Sequence, residues 1–414
     1  MRHFNIADLL AMWYIISGKK AREKNVKHYD IAICGAGIAG VAAALAGARR
    51  GKKVVLVEKQ CIIGGLATSG LIYVYLPISD DRGKIIASGI TKELLTASQE
   101  YGPFALDETW GGIPGGDSGI GKKRYSCCFS PAGYALTLDR LLREAGVEVL
   151  LETTVTGVHC DADSRLTGMT LFCGAAHWNI SAGIFIDASG GAFMLQMAGE
   201  KVFSDVNFVT PWIIENNPDK AGAESFYFSG DLHVATIKSS SDTTFESMLT
   251  VEDMQKFIKL QYQKTRDYFD AFTPEKRKEC YPVHIPAMPQ FRKIARIDAM
   301  SLIKDGDGGI YCSDSIGVAA DWRRLNAPAW ETPFGALIPK NVKGALAAGR
   351  CINTSGDAWE IFRVIPAAAM TGEASGVAAA MACDRSCDPR DIPVAELQKE
   401  LLKNDVILHI SDGR

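Results

Sequence analysis

A short apolar run, Ile31-Ala32-Ile33-Cys34, stops at glycine and gives way to Gly35-Ala36-Gly37-Ile38-Ala39-Gly40 and an alanine-rich stretch through Arg50. A brief, unbroken apolar run bounded by glycine marks a strand buried on both faces. Gly51 predicts the cap that closes the intervening helix. Lys53-Val54-Val55-Leu56-Val57 then predicts a second strand, which ends at Glu58. Together these form one strand–helix–strand crossover of about thirty residues. The pattern recurs at residues 131–145, where Leu136, Leu138, Leu141 and Leu142 predict a helix that Gly146 ends. Val147-Glu148-Val149-Leu150-Leu151 predicts the strand after it. A hairpin is expected over 155–172, with Asp161-Ala162-Asp163 near its turn. Next comes a buried strand, Ile184-Phe185-Ile186-Asp187, running into Ala188-Ser189-Gly190-Gly191. Ala345-Leu346-Ala347-Ala348-Gly349 resumes strand character, and residues 366–383 predict a helix of small residues.

Residues 201–334 read differently. They carry Pro211, Pro218, Pro274, Pro282, Pro286 and Pro289, scattered aromatics and one expected helix over 251–272, and are expected to form a separate α+β lobe. Residues 79–127 form a second, glycine-rich insertion. Alternating strands and helices elsewhere predict an α/β fold with a parallel sheet. Near the start, Leu9-Leu10-Ala11-Met12-Trp13-Tyr14-Ile15-Ile16 is apolar, with Lys19-Lys20 just beyond. It is too short for a transmembrane segment and lacks a signal-peptide cleavage pattern. Two readings stay open: an amphipathic helix docked on its own domain or on a neighbouring subunit of a homo-oligomer, or attachment at a membrane interface helped by Trp13.

Composition narrows the classes. The 414 residues carry 45 basic and 48 acidic side chains, a net −3, so nucleic acid is not an expected partner. Hydrophobic content of 47% is enough for a substantial core and excludes general disorder. The eleven cysteines are scattered without a C-x-x-C pair, which argues against a secreted disulfide framework, an iron–sulfur cluster or another metal centre and favours a reducing cytoplasm.

Gly35, Gly37 and Gly40 gain meaning from their context, because they follow a strand and open a helix. Gly35 permits a tight turn, Gly37 allows close approach of a pyrophosphate, and Gly40 allows close packing of helix on strand. The helix start supplies free N–H groups and a partial positive charge. Glu58, eighteen positions after Gly40, suits both hydroxyls of an adenosine ribose and would repel a 2′-phosphate. A second run, Cys61-Ile62-Ile63-Gly64-Gly65-Leu66-Ala67-Thr68-Ser69-Gly70, lets main chain run beside a pyrophosphate and ribityl chain, with Thr68 and Ser69 as donors. A nicotinamide dehydrogenase needs no such run. Downstream, Gly349-Arg350-Cys351 and Arg363-Val364-Ile365-Pro366 introduce a helix whose start could face a flavin's N1–C2=O edge and stabilise the charge that appears on reduction.

On these motifs the chain resembles FAD-dependent oxidoreductases of the glutathione-reductase-like flavoprotein superfamily. It is most similar to the branch related to the flavin subunit of heterodisulfide reductase. The matching stretches are 30–70, 129–199 and 335–382. The resemblance implies a Rossmann-like FAD-binding domain, a parallel sheet flanked by helices and a small antiparallel sheet, with an inserted α+β substrate lobe. It divides the chain into an N-terminal helical extension (1–27), three FAD-binding parts (28–78, 128–200 and 335–385), an insertion (79–127), the substrate lobe (201–334) and a C-terminal tail (386–414). Residue by residue it implies that Gly35, Gly37, Ile38, Ala39 and Gly40 hold the pyrophosphate, with Glu58 and Lys59 at the adenosine ribose. Gly64, Gly65, Ala67 and Thr68 would line the ribityl and ring region, and Val155 would offer backbone groups to adenine. Ala188, Ser189 and Gly190 match a turn near the cofactor. Arg350 stands where many relatives carry an aspartate for the ribityl chain, and Ile365 would lie by the pyrimidine edge of the ring. The chain departs from the branch at Gly191, at Ala295 and Ala299, and in lacking the subunit's cysteine quartets.

Catalytic residues are less legible. His284, in Tyr281-Pro282-Val283-His284, suits proton removal near neutral pH, or else is a structural histidine. Arg292 and Arg296 suit a substrate carboxylate, or else salt bridges. Trp322, Trp330 and Trp359 would stack on a substrate or pack in the core. Cys61, Cys127 and Cys128 are redox-active or flavin-linked thiols, or small buried hydrophobes. The expected function is hydride transfer between flavin N5 and a small polar metabolite, a carbohydrate or hydroxy acid. The alternative is a flavin-bearing electron-transfer subunit of a larger redox complex.

Overall fold

The computed structural model describes residues 26–80, 82–106, 108, 125–220, 227–229, 232–237, 244–324 and 327–412. The apolar segment at residues 9–16 and residues 81, 107 and 109–124 of the 79–127 insertion lie outside them.

The strand–helix–strand unit is present: β1 (Lys27–Cys34), helix α1 (Ile38–Ala48) and β2 (Val54–Val57). Helix α2 (Gly89–Ala97) comes from the insertion, and α3 (Pro131–Glu144) precedes β3 (Glu148–Leu150). The hairpin is β4 (Thr154–Cys160) and β5 (Leu166–Cys173), and β6 (Ala176–Asp187) follows. A seven-stranded sheet runs β3-β2-β1-β6-β5-β4, with β7 (Ala345–Ala347) also on β6. All pairings among β1, β2, β3, β7 and the second half of β6 are parallel, whereas β4, β5 and the first half of β6 are antiparallel. The expected small antiparallel sheet is therefore an extension of the main one. Long β6 joins the two, because its first half is mostly exposed while Ile184–Asp187 is buried throughout.

Helix α5 (Ile365–Arg385) lies along α1. Both helices are buried nearly all round, so neither shows a one-sided apolar stripe. A Cβ on Gly372 would stand 2.2 Å from the Ala39 carbonyl oxygen, and one on Gly376 would stand 2.3 Å from that of Ala43. Glycine at these positions lets the two backbones touch, which brings the starts of α1 and α5 to one place.

The lobe has an antiparallel four-stranded sheet, in the order Tyr227–Ser229, Leu232–Thr236, Trp212–Asn216 and Tyr281–His284, and helix α4 (Val251–Asp270). Thr250 caps α4 by accepting from the Asp253 N–H. Its core includes Val209, Phe245, Phe257, Phe291 and Ile294, whereas Ile297, Ile303, Ile316 and Trp330 pack into the main core. The 386–414 segment contains helix α6 (Val394–Leu402), whose Leu397 and Leu401 are buried against that core.

Glu373 of α5 is buried, accepts from the Ile90 N–H at the start of α2 (2.8 Å) and from Asn404 Nδ2 (3.1 Å). Burial pushes its carboxyl up to about 7, with Glu93 adding to the rise and Arg50 opposing it. The folded pKa lies above the unfolded value of 4.5, so the native state holds the extra proton between them. This contribution to stability is complete below about pH 4.5 and is lost as pH rises through 7. Glu373→Gln, which needs no ionisation, is expected to be more stable than the wild type at pH 8 by an order of 2 kcal/mol. Urea unfolding at pH 5 and pH 8 would show the gain at the higher pH only.

Candidate functional site

The glycine loop is built by its neighbours. Gly35 has φ +102°, and a Cβ there would meet the Ala188 carbonyl oxygen at 2.7 Å. A Cβ on Gly40 would meet the Gly35 carbonyl oxygen at 1.9 Å. Gly37, the residue just before α1, is different: its backbone is extended and a Cβ would meet nothing within 4 Å. Its open side faces a cavity of about 300 Å³ that Gly35, Ile38 and Ala39 also line. The first N–H groups of α1 have no intrahelical acceptors and are available there to an anion.

Glu58 ends β2 and is buried. Its Oε2 accepts from the Ala36 N–H (2.8 Å) and its Oε1 from the Gln60 N–H (3.0 Å), tying the first loop to the second strand's end. Burial raises its carboxyl above the ordinary range, against the pull of these N–H groups. Gly64 pairs with Gly37, donating its N–H to the Ala36 carbonyl at 2.8 Å, and its φ of +107° requires glycine. Asp187, fully buried at the end of β6, accepts from the Ser189 N–H (3.0 Å), the Ser189 hydroxyl (2.6 Å) and the Leu195 N–H (3.0 Å). It thereby fixes the Ala188–Ser189–Gly190 turn.

Residues far apart in the chain therefore meet in one cradle. Glu58, Lys59, Gly64, Gly65 and Ala67 line it with Ala188, Ser189 and Gly190, and Gly349, Arg350, Ile365 and Ala368 complete it. Three expected residues do not line it. Gly40 packs behind the loop. Thr68 is buried with its hydroxyl donated to the Ile63 carbonyl (2.6 Å), so it is not a donor to the cavity as expected. Val155 of β4 lies two residues beyond Thr153, whose N–H bonds the Glu58 carbonyl, and pairs with Leu171 of β5. Reading the sequence missed Phe193 and the lobe's share, Met254 and Ile258 of α4 with Phe291 and Ile294, which also face the cradle. Nothing local in those residues signals it.

A second cavity, about 130 Å³, adjoins the first and shares Leu66, Phe291, Arg350, Arg363 and Ile365 with it. Ile72, Val74 and Leu76 make one wall, and Trp212, Trp322 and Arg292 make others. Arg350 donates to the Phe291 carbonyl, and burial pulls its guanidinium down to about 10. Arg292 is likewise pulled down to about 10, by burial first and by the Arg363 charge second.

Other expected residues lie elsewhere. The structure does not bring His284 to either cavity: it is exposed at the end of an edge strand, where every residue faces solvent. Arg296 stacks on Phe203 (4.3 Å) and bonds Asn353. Trp330 and Trp359 are core residues, while Trp322 donates to the Glu360 carbonyl at the rim of the second cavity. All eleven cysteines are free; Cys61 is exposed and lines neither cavity, and Cys127 and Cys128 form a short strand beside Val74–Tyr75. Among the described residues no cluster suits a metal ion, and no helix is long and apolar enough to cross a membrane.

A parallel sheet with a glycine loop opening its first crossover helix, and an acidic residue closing its second strand, defines an α/β dinucleotide-binding protein. More particularly, the chain belongs to the FAD dependent oxidoreductase family, whose pattern matches residues 30–297 and 310–401. It is an FAD-dependent enzyme of that family. Gly37's open cradle and the adjoining Gly64–Gly65 bend fit the cofactor. No curated protein matches the chain. Among solved structures, a geranylgeranyl bacteriochlorophyll reductase-like protein from Thermoplasma acidophilum is 13% identical, with 91% of this chain and 83% of that one covered and a TM-score of 0.46. The OxyS anhydrotetracycline hydroxylase from Streptomyces rimosus is 13% identical, covering 90% and 65%, with a TM-score of 0.44. The myxobacterial chondrochloren halogenase CndH is 16% identical, covering 91% and 78%, with a TM-score of 0.43.

Proposed function

We propose that this enzyme transfers a hydride between FAD and a small polar metabolite, of which a hydroxy acid suits the site best, bound in the second cavity. The observation that carries this reading is the shared wall. Leu66, Phe291, Arg350 and Ile365 border both the dinucleotide cradle and a separate, smaller cavity. FAD, when bound, supplies a hydride acceptor or donor at its N5. The residues of the chain then divide the remaining work. The start of α1 and Gly37 hold the pyrophosphate, and Glu58 with Lys59 meets the adenosine ribose. Gly64, Gly65 and Ala67 run beside the ribityl chain, and the start of α5 at Ile365 offers positive potential to the ring's pyrimidine edge. Leu66, Ile72, Val74 and Leu76 keep water from the reacting carbon. Within the family, we place the chain in the glutathione-reductase-like branch related to the heterodisulfide reductase flavin subunit, on its Gly35–Gly40, Glu58 and Gly64–Gly65 motifs. We place it in the cytoplasm on its scattered free cysteines.

Anaerobic titration of the FAD-loaded protein with hydroxy acids and sugars tests the reading. A hydroxy acid is expected to bleach the yellow flavin absorbance without any partner protein. If dithionite bleaches it and no compound of the panel does, the electron-transfer alternative takes its place.

A further inference from the structure

The second cavity has a charge imbalance that the described residues do not resolve. Of its three arginines, Arg363 is neutralised by Glu360 (2.6 Å), and Arg350 gives part of its guanidinium to the Phe291 carbonyl. Arg292 has no carboxylate within ion-pair distance among the described residues; its side chain rests on the Phe208 ring, 4.0 Å from the centroid. The surrounding carboxylates are engaged elsewhere. Glu360 also takes Lys293 (3.3 Å), Asp205 pairs with Lys293 (3.2 Å), and Asp357 pairs with Arg323 (2.7 Å) and Arg324. Among the described residues, no aspartate, glutamate or histidine lines the cavity.

The Arg292 guanidinium lies over the Phe208 ring, and a planar guanidinium can grip a carboxylate with two parallel hydrogen bonds. The backbone beneath is fixed. Asn207, fully buried, accepts from the N–H groups of Arg292 (3.1 Å) and Lys293 (2.8 Å) and donates to the Lys293 carbonyl. A cation held this firmly in a mostly apolar cavity is poorly solvated, and an anionic ligand offsets that penalty. Leu66, Ile72, Val74 and Leu76 also line the cavity, with Trp212 and Trp322 offering flat apolar surface.

We propose that the second cavity recognises a small carboxylic acid, with Arg292 as the specificity-determining residue that binds its carboxylate and the apolar and tryptophan walls holding its body. This rests on the second cavity being the substrate site and deepens that reading. Isothermal titration of the FAD-loaded protein with acetate, lactate and benzoate, each against its amide, tests it without turnover. At least one acid is expected to bind tenfold or more tightly than its amide. Arg292→Met should weaken that acid by about tenfold to a hundredfold, the range for losing a charge-assisted ion pair, and leave the amide unchanged. Arg292→Lys, which keeps the charge and helps the fold if the methionine variant is unstable, should retain part of the preference. The proposal is overturned if no acid is preferred over its amide, or if the preference survives intact in either variant that folds. Wild-type protein that takes up no FAD would instead sink the underlying reading, whereas FAD-loaded protein indifferent to charge sinks this inference alone.

Discussion

Replacing Gly37 by valine is expected to leave the fold standing and strip the protein of its flavin. The residue is extended, which suits valine, and the new Cβ meets no protein atom within 4 Å. The loss of a glycine at the start of α1 costs no more than about 1 kcal/mol. The branched side chain would instead fill the space beside the first N–H groups of α1, where the pyrophosphate belongs. FAD affinity should fall at least roughly tenfold, or ~1.4 kcal/mol, and the flavin-to-protein absorbance ratio after purification should drop accordingly, while the urea midpoint of the flavin-free protein barely moves. Gly40→Val is the contrasting variant. Its Cβ collides with the Gly35 carbonyl oxygen at 1.9 Å, so it should lower the midpoint itself. Equal flavin retention in wild type and Gly37→Val would show that the cradle holds no pyrophosphate there.

The second large effect lies away from the cavity. Gly372→Leu drives a side chain into the Ala39 carbonyl oxygen, 2.2 Å from where its Cβ must stand. A neighbouring side chain could rotate away, but a helix backbone cannot. Relief requires α1 and α5 to part along a fully buried contact. A destabilisation of about 3 kcal/mol, at the upper end for overpacking, is expected in urea unfolding, with loss of FAD as a consequence. A variant of wild-type stability would mean that the two helices do not touch at this point.

The sequence made the cofactor cradle legible because its parts are local. Gly35, Gly37 and Gly40 announce themselves by spacing, Glu58 by ending a strand, and Ile365 by preceding a proline-started helix. What joins them was less visible. The starts of α1 and α5 meet because Gly372 and Gly376 admit close contact, a pairing that only tertiary structure reveals. Asp187 closes a predicted strand, yet its hold on the Ser189 turn is set by hydrogen bonds across eight residues. Half of β6 escaped because its first residues are mostly exposed and carry no unbroken apolar run. His284 drew attention by its chemistry but stands on an exposed edge strand. Arg292, chosen for the same kind of reason, does line a cavity, its backbone held by Asn207 from the short, distant strand Asn207–Phe208.

A crystal structure of the FAD complex is the most direct measurement of all. The pyrophosphate should lie against Gly37 at the start of α1. The isoalloxazine should lie where the two cavities meet, beside Leu66 and Ile365, with one face open to Arg292's cavity. A cofactor whose phosphates avoid Gly37, or whose ring lies away from both Leu66 and Ile365, would contradict the convergence on which this account of the enzyme depends.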